Sequence, residues 1–293
     1  MASSSFIKVL AFLALLGGLA LLVVSWRAAA DHTAPVRFSA GTPPADFPAQ
    51  LEDIAIRTRD GLTLRGWYGA VPDEKATVIL LHRYRAGRGF MLSRAQWYAE
   101  RGYSVLLYDS RATGESDGDT ISVGWLETDD LTAALAWVRQ QGAERIICHG
   151  VSQGGATIVL AAERLGEDVA GVILECTYDT LLNAGDRRFR NRVGIPGWLA
   201  GIFYRPFMEM RLGFDIALAS PIDHIGTIEA PIFIMAGKED MHTWASDTRA
   251  LYEAAQAPAT LWLVEGAAHE DLLAFAPEEF SDRLAAFLQQ HGL

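Results

Sequence analysis

A short apolar strand that runs directly into the pattern G-x-S-x-G is the feature that most restricts the fold of this chain. The strand ends at residue 149, residues 150–154 read G-V-S-Q-G, and a helix-forming stretch follows. This arrangement is typical of a nucleophile on a sharp, strained turn. Such a turn leaves no room for side chains two residues before and after the serine, where Gly150 and Gly154 stand. Ser152 is therefore the candidate nucleophile, and the amide of Gln153, at a helix N-terminus, is predicted to face an oxyanion.

The same pattern also occurs at residues 114–118, so the pattern alone does not identify the serine. The strand-like run before this second match ends at Tyr108, several residues too early, and a turn-rich segment follows it in place of a helix. Ser116 is therefore predicted to be a solvated loop serine.

A serine hydroxyl becomes a nucleophile when a histidine takes its proton and a carboxylate orients that histidine. Of the seven histidines, His269 stands apart because it follows a strand-like run and a short loop of small residues. The acid is expected at the end of the preceding strand, where the apolar run 231–236 leads to Asp240, with Glu239 as the alternative. The chain order Ser152, Asp240, His269 is one of the few known orders for such a triad.

Strand-like runs alternate with helical stretches along residues 51–293, which predicts one α/β catalytic domain with a mostly parallel sheet. A hairpin is indicated by segment 54–68, in which apolar and polar residues alternate on both sides of an Asp-Gly pair. Further strands are predicted at Thr77–Leu81, Tyr103–Tyr108, Arg145–His149 and Val169–Glu175.

Residues from about 183 to 220 lie between two predicted strands and are expected to form a small cap over the site. They are rich in aromatic residues and methionine, which suits an acyl substrate or simply seals the cap onto the body. The cap also carries six arginines, which predict either a patch for anionic lipid headgroups or a solvated helix face.

Taken together, these features resemble the serine hydrolases of the α/β-hydrolase superfamily over about residues 54–288. The resemblance implies an eight-stranded, mostly parallel sheet with helices on both faces, acyl transfer to Ser152 and hydrolysis of the acyl-enzyme by water. It also implies a second oxyanion amide, which by position is that of Tyr84. The motifs that carry the resemblance are Leu80-Leu81-His82, Asp109-x-Arg111-x-x-Gly114-x-Ser116, the turn at Ser152, Gly237-x-x-Asp240 and Gly266-x-x-His269.

The chain departs from the family pattern in two loops. Arg83 stands where the family usually has glycine, and a positive φ there costs about 1 kcal/mol or more for arginine. Residues 111–114 read R-A-T-G, where glycine and histidine usually fill the two middle places. Arg83, Arg85 and Arg88 are expected to face solvent, with the substrate mouth as the alternative.

The N-terminal segment has the composition of a membrane helix. Residues 9–26 are eighteen consecutive positions without a charge, between Lys8 and Arg27. A helix of that length is about 27 Å long, close to a hydrocarbon core of about 30 Å. Residues 1–27 are therefore predicted to be a single-pass anchor that holds the catalytic domain outside the cytoplasm, and residues 28–50 a proline-containing linker. The small residues at 28–30 leave the alternative of a cleaved signal and a secreted or periplasmic protein.

Composition excludes several other classes of function. The net charge of −11 argues against nucleic-acid binding. The sequence has no Walker loop, dinucleotide fingerprint or His-Glu-x-x-His motif, so neither a cofactor nor a metal is expected. Cys148 and Cys176 are predicted to be free, buried thiols. Nothing indicates the oligomeric state.

The sequence therefore predicts a membrane-tethered hydrolase that cleaves a small-molecule carboxylic ester or thioester through an acyl-enzyme on Ser152. An amidase, a peptidase or a lipase would use the same triad. Haloalkane dehalogenases and epoxide hydrolases are disfavoured because they use aspartate as the nucleophile. A different class, a catalytically inactive binding domain on a membrane tether, is favoured by Arg83 and opposed by the three triad residues.

Overall fold

A single eight-stranded sheet organises the computed structural model, which describes residues 3–193 and 197–293. The strand order is β1-β2-β4-β3-β5-β6-β7-β8; β2 pairs antiparallel with β1 and β4, and the other neighbouring strands pair in parallel. The predicted fold class, including the hairpin of β1 and β2, is confirmed. The strands are β1 Leu51–Arg57, β2 Thr63–Gly69, β3 Thr77–Leu81, β4 Ser104–Tyr108, β5 Ile146–Val151, β6 Val169–Glu175, β7 Ile232–Gly237 and β8 Ala259–Val264.

Helices cover both faces of the sheet, so the central strands are buried on both sides and consist of apolar runs. Helices α2 and α10 pack on one face, and α3, α4 and α8 pack on the other. In the described ranges the helices are α1 Ser3–Thr33, α2 Leu92–Ala99, α3 Glu127–Gln140, α4 Gln153–Leu160, α5 Leu181–Val193, α6 Gly197–Leu212, α7 Pro221–His224, α8 Ala245–Ala254, α9 Leu272–Phe275 and α10 Pro277–Gln290.

The cap consists of α5 and α6, which lie between β6 and β7, where the sequence predicted an insertion at about 183–220. Residues 194–196 of that prediction lie outside the described residues. Met208 and Leu212 of α6 pack in one cluster with Ala156 of α4, on the body. The cap therefore sits above the helix that follows the turn at Ser152.

Helix α1 is long and apolar enough to cross a membrane, a property that a signal sequence shares. It continues six residues beyond the predicted boundary at residue 27, so the first part of the predicted linker is helical. Its C-terminal part packs against α6 of the cap. After α1 the chain follows the body, where Val36 forms a parallel bridge with Thr113.

The carboxyl ends of β5, β7 and β8 lie at the same edge of the sheet because these strands are parallel. The loops that carry the three candidate catalytic residues begin at those ends. The sheet topology thus brings to one edge Ser152 and His269, which are 117 residues apart in sequence.

Candidate active site

Ser152 lies on a strained turn between β5 and α4. Its φ is 53°, a conformation that costs energy in any residue other than glycine and is concentrated at functional sites. The Ser152 amide donates a hydrogen bond to the carbonyl oxygen of Glu175 at 2.7 Å, which fixes the turn against β6. A Cβ on Gly150 would lie 2.4 Å from the carbonyl carbon of Gly154, and a Cβ on Gly154 would lie 2.3 Å from the carbonyl oxygen of Leu81. The turn therefore needs both glycines that the sequence indicated.

Gly154→Ala is expected to lower the free energy of unfolding by about 1–3 kcal/mol, because the new methyl group meets rigid backbone and forces it to shift. Gly89→Ala is the matched control, since a Cβ there has no neighbour within 4 Å in the part of the chain that the structure describes, and it should stay within about 0.5 kcal/mol of wild type. Urea denaturation measures both values. Equal stability of the two variants would show that the turn tolerates a side chain at residue 154.

Asp240 and His269 form a hydrogen-bonded pair. The Asp240 Oδ2 atom accepts a hydrogen bond from Nδ1 of His269 at 2.7 Å. The same carboxylate accepts bonds from the amides of His242 and Thr243, at 2.7 and 2.9 Å, and from the Thr243 hydroxyl at 2.5 Å. Glu239, the alternative acid, is exposed. Because Nδ1 carries the donated proton, Nε2 of His269 is the nitrogen that can accept one from a nucleophile.

The surroundings of Asp240 favour its ionised form. Burial raises the pKa of Asp240, but the hydrogen bond and charge of His269, with the bonds from Thr243, outweigh burial and hold the pKa below its usual value. An ionised carboxylate at this position orients the imidazole and stabilises it when it becomes protonated.

A cavity of about 500 Å³ lies between this pair and the cap. Ser152 and His269 both line it, without a hydrogen bond between them among the described residues. Contacts between a nucleophile and its base are often long in the absence of substrate and tighten when it binds. Most of the lining comes from the cap and from the loops below it. Its apolar and aromatic residues are Val123, Tyr178, Leu181, Leu182, Phe189, Gly201, Ile202, Tyr204, Met208 and Ile216, and its charged residues are Asp186, Arg188 and Arg205.

Two backbone amides were predicted to hold an oxyanion. Gln153 is the first residue of α4, where an amide N–H has no partner within the helix. Tyr84 lines the cavity, and its hydroxyl donates a hydrogen bond to the carbonyl oxygen of His32 at 2.6 Å. Tyr84 therefore lines the same cavity as Ser152, and Gln153 follows Ser152 directly in the chain.

His82 determines the shape of the loop that carries Tyr84. Its Nδ1 donates to the carbonyl oxygen of Arg83 at 2.8 Å, and its Nε2 accepts from the amide of Ser110 at 3.0 Å. Burial lowers the pKa of His82, which agrees with the neutral ring that this pair of bonds requires. Arg83 does not adopt a positive φ, whereas Arg85 does, at 59°. The strain considered for Arg83 is therefore absent.

Two predictions about side-chain exposure are wrong. Arg88 was expected to face solvent, yet it is buried and forms ion pairs with Asp109, at 2.5 Å, and with Glu115. Ser116 was expected to be solvated, yet it is fully buried, and its hydroxyl donates to the carbonyl oxygen of Asp109 at 2.6 Å. Distant hydrogen-bond and ion-pair partners compensate the burial of both residues, and these partners cannot be read from the local sequence.

Sequence reasoning missed a buried ionic network beneath the site. Arg94 holds Glu175 through two hydrogen bonds, at 2.5 and 2.7 Å, and also reaches Asp271 at 2.9 Å. His149 contacts the same carboxylate of Glu175 at 2.6 Å. Glu175 also supports the Ser152 turn, and Asp271 follows His269 by two residues, so the network connects the two sides of the site.

Cys176 lies next to the Asp240–His269 pair and has a positive φ of 48°. The two cysteines are free and buried, as predicted. One ligand atom each from Cys176, Asp240 and His269 lie within 4.8 Å of one another, a donor set that suits a soft divalent metal. The hydrogen bond between His269 and Asp240 already occupies two of these three groups, so a metal there would disrupt the pair.

A strained serine after a strand, a carboxylate-bound histidine at a later strand end and a mostly parallel eight-stranded sheet define the α/β-hydrolase class of proteins. Residues 78–283 match the model of the alpha/beta hydrolase family. The match covers more than half of the chain, and the protein belongs to this family.

Known relatives agree with this assignment. The uncharacterized protein YqkD of Bacillus subtilis is 29% identical over 225 residues, which cover 75% of this chain and 74% of YqkD. The polyketide transferase ATR5 of Stachybotrys chlorohalonatus is 34% identical over 128 residues, 42% of this chain and 43% of that protein. The solved structure of the esterase Pf2001 of Pyrococcus furiosus superposes with a TM-score of 0.74 at 25% identity, over 88% of this chain and 98% of that one.

Proposed function

We propose that the protein is a serine hydrolase that cleaves a carboxylic ester or thioester through an acyl-enzyme on Ser152. The observation that carries this proposal is the hydrogen-bonded pair of Asp240 and His269 in the cavity that Ser152 lines. The similarity to an esterase over most of the chain adds support. The α/β-hydrolase domain begins near residue 51, and α1 anchors it to the membrane on the extracytoplasmic side.

In the proposed mechanism, Oγ of Ser152 attacks the carbonyl carbon of the substrate while Nε2 of His269 takes the hydroxyl proton. Asp240 stabilises the imidazolium that forms. The amides of Gln153 and Tyr84 donate hydrogen bonds to the oxyanion, whose negative charge also lies at the N-terminus of α4. His269 then protonates the leaving alcohol or thiol, and it removes a proton from the water that hydrolyses the acyl-enzyme.

An inactive binding domain is a weaker explanation for these features. The residue that favoured it was Arg83, but the backbone of Arg83 is unstrained and its side chain is exposed, 4.8 Å above the ring of Phe90. A structural role alone also gives no reason to retain a serine in a costly backbone conformation beside a carboxylate-bound histidine.

Labelling with a fluorophosphonate probe tests the proposal. The wild-type protein is expected to react with the probe, and Ser152→Ala is expected to lose the label completely, because phosphonylation needs the activated hydroxyl. Ser116→Ala is the matched control, since it alters the other G-x-S-x-G serine. The Ser116 hydroxyl is hydrogen-bonded to the amide of Arg65 and to the carbonyl oxygen of Asp109, so this variant should label like wild type. Folded wild-type protein that does not label would refute the proposal.

A further inference from the structure

The C-terminal turn of α1 forms part of the wall of the active-site cavity. His32 lines the cavity, and its Nδ1 lies 2.5 Å from the hydroxyl of Tyr204 in the cap. Two residues of the predicted oxyanion loop cap the end of the helix: Tyr84 donates to the carbonyl oxygen of His32 at 2.6 Å, and Arg85 donates to that of Asp31 at 2.8 Å. The membrane helix is thus joined to both sides of the site.

One face of α1 is buried where the helix meets the cap. Ser25, Ala29 and Thr33 are spaced four residues apart, so they lie on one side of the helix, and each is at most 7% exposed. α6 packs against α1, and Arg211 donates a hydrogen bond to the Thr33 hydroxyl at 2.7 Å. The contact therefore extends from the end of the uncharged run to the end of α1, and it fixes the cap relative to α1.

The position of His32 along α1 places the cavity close to the membrane surface. The uncharged run ends at Trp26, and His32 is six residues further on, about 9 Å along the helix axis. The headgroup layer adds about 5–8 Å on each side of the hydrocarbon core. If α1 spans the bilayer, the cavity wall at His32 lies at the outer boundary of the headgroup layer.

The lining of the cavity is mostly apolar, which suits an acyl chain, although Asp186, Arg188 and Arg205 line it too. Ile202 of α6 lines the cavity and is 57% exposed, and Leu182 of α5 is exposed beside it. Of the cap arginines, Arg187, Arg190 and Arg205 are paired with acidic residues, and Arg188, which also lines the cavity, lies over the ring of Tyr84. Contact with the bilayer is therefore expected through apolar surface rather than through the basic patch.

We propose that the substrate is an acyl ester resident in the lipid bilayer, whose chain enters the cavity between the cap and the end of α1. This inference rests on the proposed hydrolase function. The ester bond reaches Ser152 from the headgroup layer, so the substrate does not have to pass through bulk water. Helix α1 then remains attached to the mature protein as a wall of the binding site.

The test uses full-length protein in lipid nanodiscs and two substrates, p-nitrophenyl acetate in solution and a fluorogenic monoacylglycerol ester with a long chain in the bilayer. Ile202→Glu places a charge in the chain path, and it should lower the ratio of long-chain to acetate turnover about tenfold or more. Met210→Glu is the matched control, because Met210 lies on the same helix, is 65% exposed and does not line the cavity; its ratio should match wild type.

A second variant keeps the inference testable if Ile202→Glu does not fold. Gly201 lines the cavity on α6, and a Cβ there has no neighbour within 4 Å among the described residues, so Gly201→Phe can fill space that a chain would occupy. It should shift the preferred substrate to shorter acyl chains. An unchanged ratio in Ile202→Glu together with an unchanged chain preference in Gly201→Phe would overturn the inference.

The outcomes separate this inference from the proposed function. Hydrolysis of p-nitrophenyl acetate without hydrolysis of the bilayer ester leaves the hydrolase proposal standing and refutes the lipid substrate. Absence of both activities and of fluorophosphonate labelling refutes the hydrolase itself. Mass spectrometry of the purified protein should find α1 intact, and a mature N-terminus at or beyond residue 28 would overturn the inference.

Discussion

His269→Ala is expected to lower kcat for ester hydrolysis by a factor of about 10⁴ to 10⁶, the loss seen when one member of a serine triad is removed. His269 is the ring that Asp240 orients, through the 2.7 Å hydrogen bond to Nδ1, and its Nε2 is left to accept the serine proton. Without it, Ser152 keeps its place on the turn but loses the base that makes it a nucleophile. Steady-state kinetics with p-nitrophenyl esters, on protein whose fold is checked by circular dichroism, measures the loss.

His242 provides a demanding control for this prediction. It lines the same cavity, and its ring centroid lies 5.3 Å from that of His269. Its backbone amide donates to Asp240, and a change to alanine keeps that bond. His242→Ala should therefore lose less than about 10²-fold in kcat. A larger loss in His242→Ala than in His269→Ala would mean that the wrong histidine has been assigned as the base.

The sequence could predict the candidate site because its three residues follow strands of one parallel sheet. Ser152 was identified by the strand before it and the helix after it, and Asp240 and His269 by the strand ends that precede them. These are local sequence patterns. The parallel strands place the three residues that follow them at the same edge of the sheet. The contact of Asp240 with His269 then follows from strand order.

Features that depend on partners far away in sequence could not be predicted in this way. Arg88 and Ser116 lie in segments that read as polar loops, yet ion pairs and hydrogen bonds from other loops bury them. The packing of α1 on the cap depends on the folded position of α6, which local composition does not determine. The sequence therefore indicated a membrane helix without indicating its place in the cavity wall.

Arg94→Met is expected to lower the free energy of unfolding by about 3–5 kcal/mol, the usual effect of removing one partner from a buried ion pair. Arg94 and Glu175 are both fully buried, and the methionine fills the volume without the charge. Among the side chains that the structure describes, His149 would remain in contact with Glu175 and partly compensate its buried charge. Urea denaturation near neutral pH measures the loss.

The double variant Arg94→Met/Glu175→Gln separates the uncompensated charge from lost packing. It removes the negative charge together with its partner, so it should recover about 1–3 kcal/mol relative to Arg94→Met alone. Failure to recover any stability would mean that the arginine acts mainly by filling space.

The pH dependence of the same variant follows from the pKa of Glu175. Burial raises this pKa, but the charge and hydrogen bonds of Arg94 and the bond from His149 outweigh burial and bring it to about 2. Because the folded pKa is depressed, the stabilisation is fully present above the unfolded pKa of about 4.3 and is lost as pH falls towards about 2. In Arg94→Met the arginine no longer counteracts the effect of burial on Glu175. The pKa of Glu175 in the folded variant therefore rises, and protonation of Glu175 stabilises the variant. The stability difference between wild type and Arg94→Met should therefore shrink as pH falls below about 4.3, and a difference that stays constant from pH 7 to pH 3 would contradict the assignment of an ionised Glu175 beneath the site.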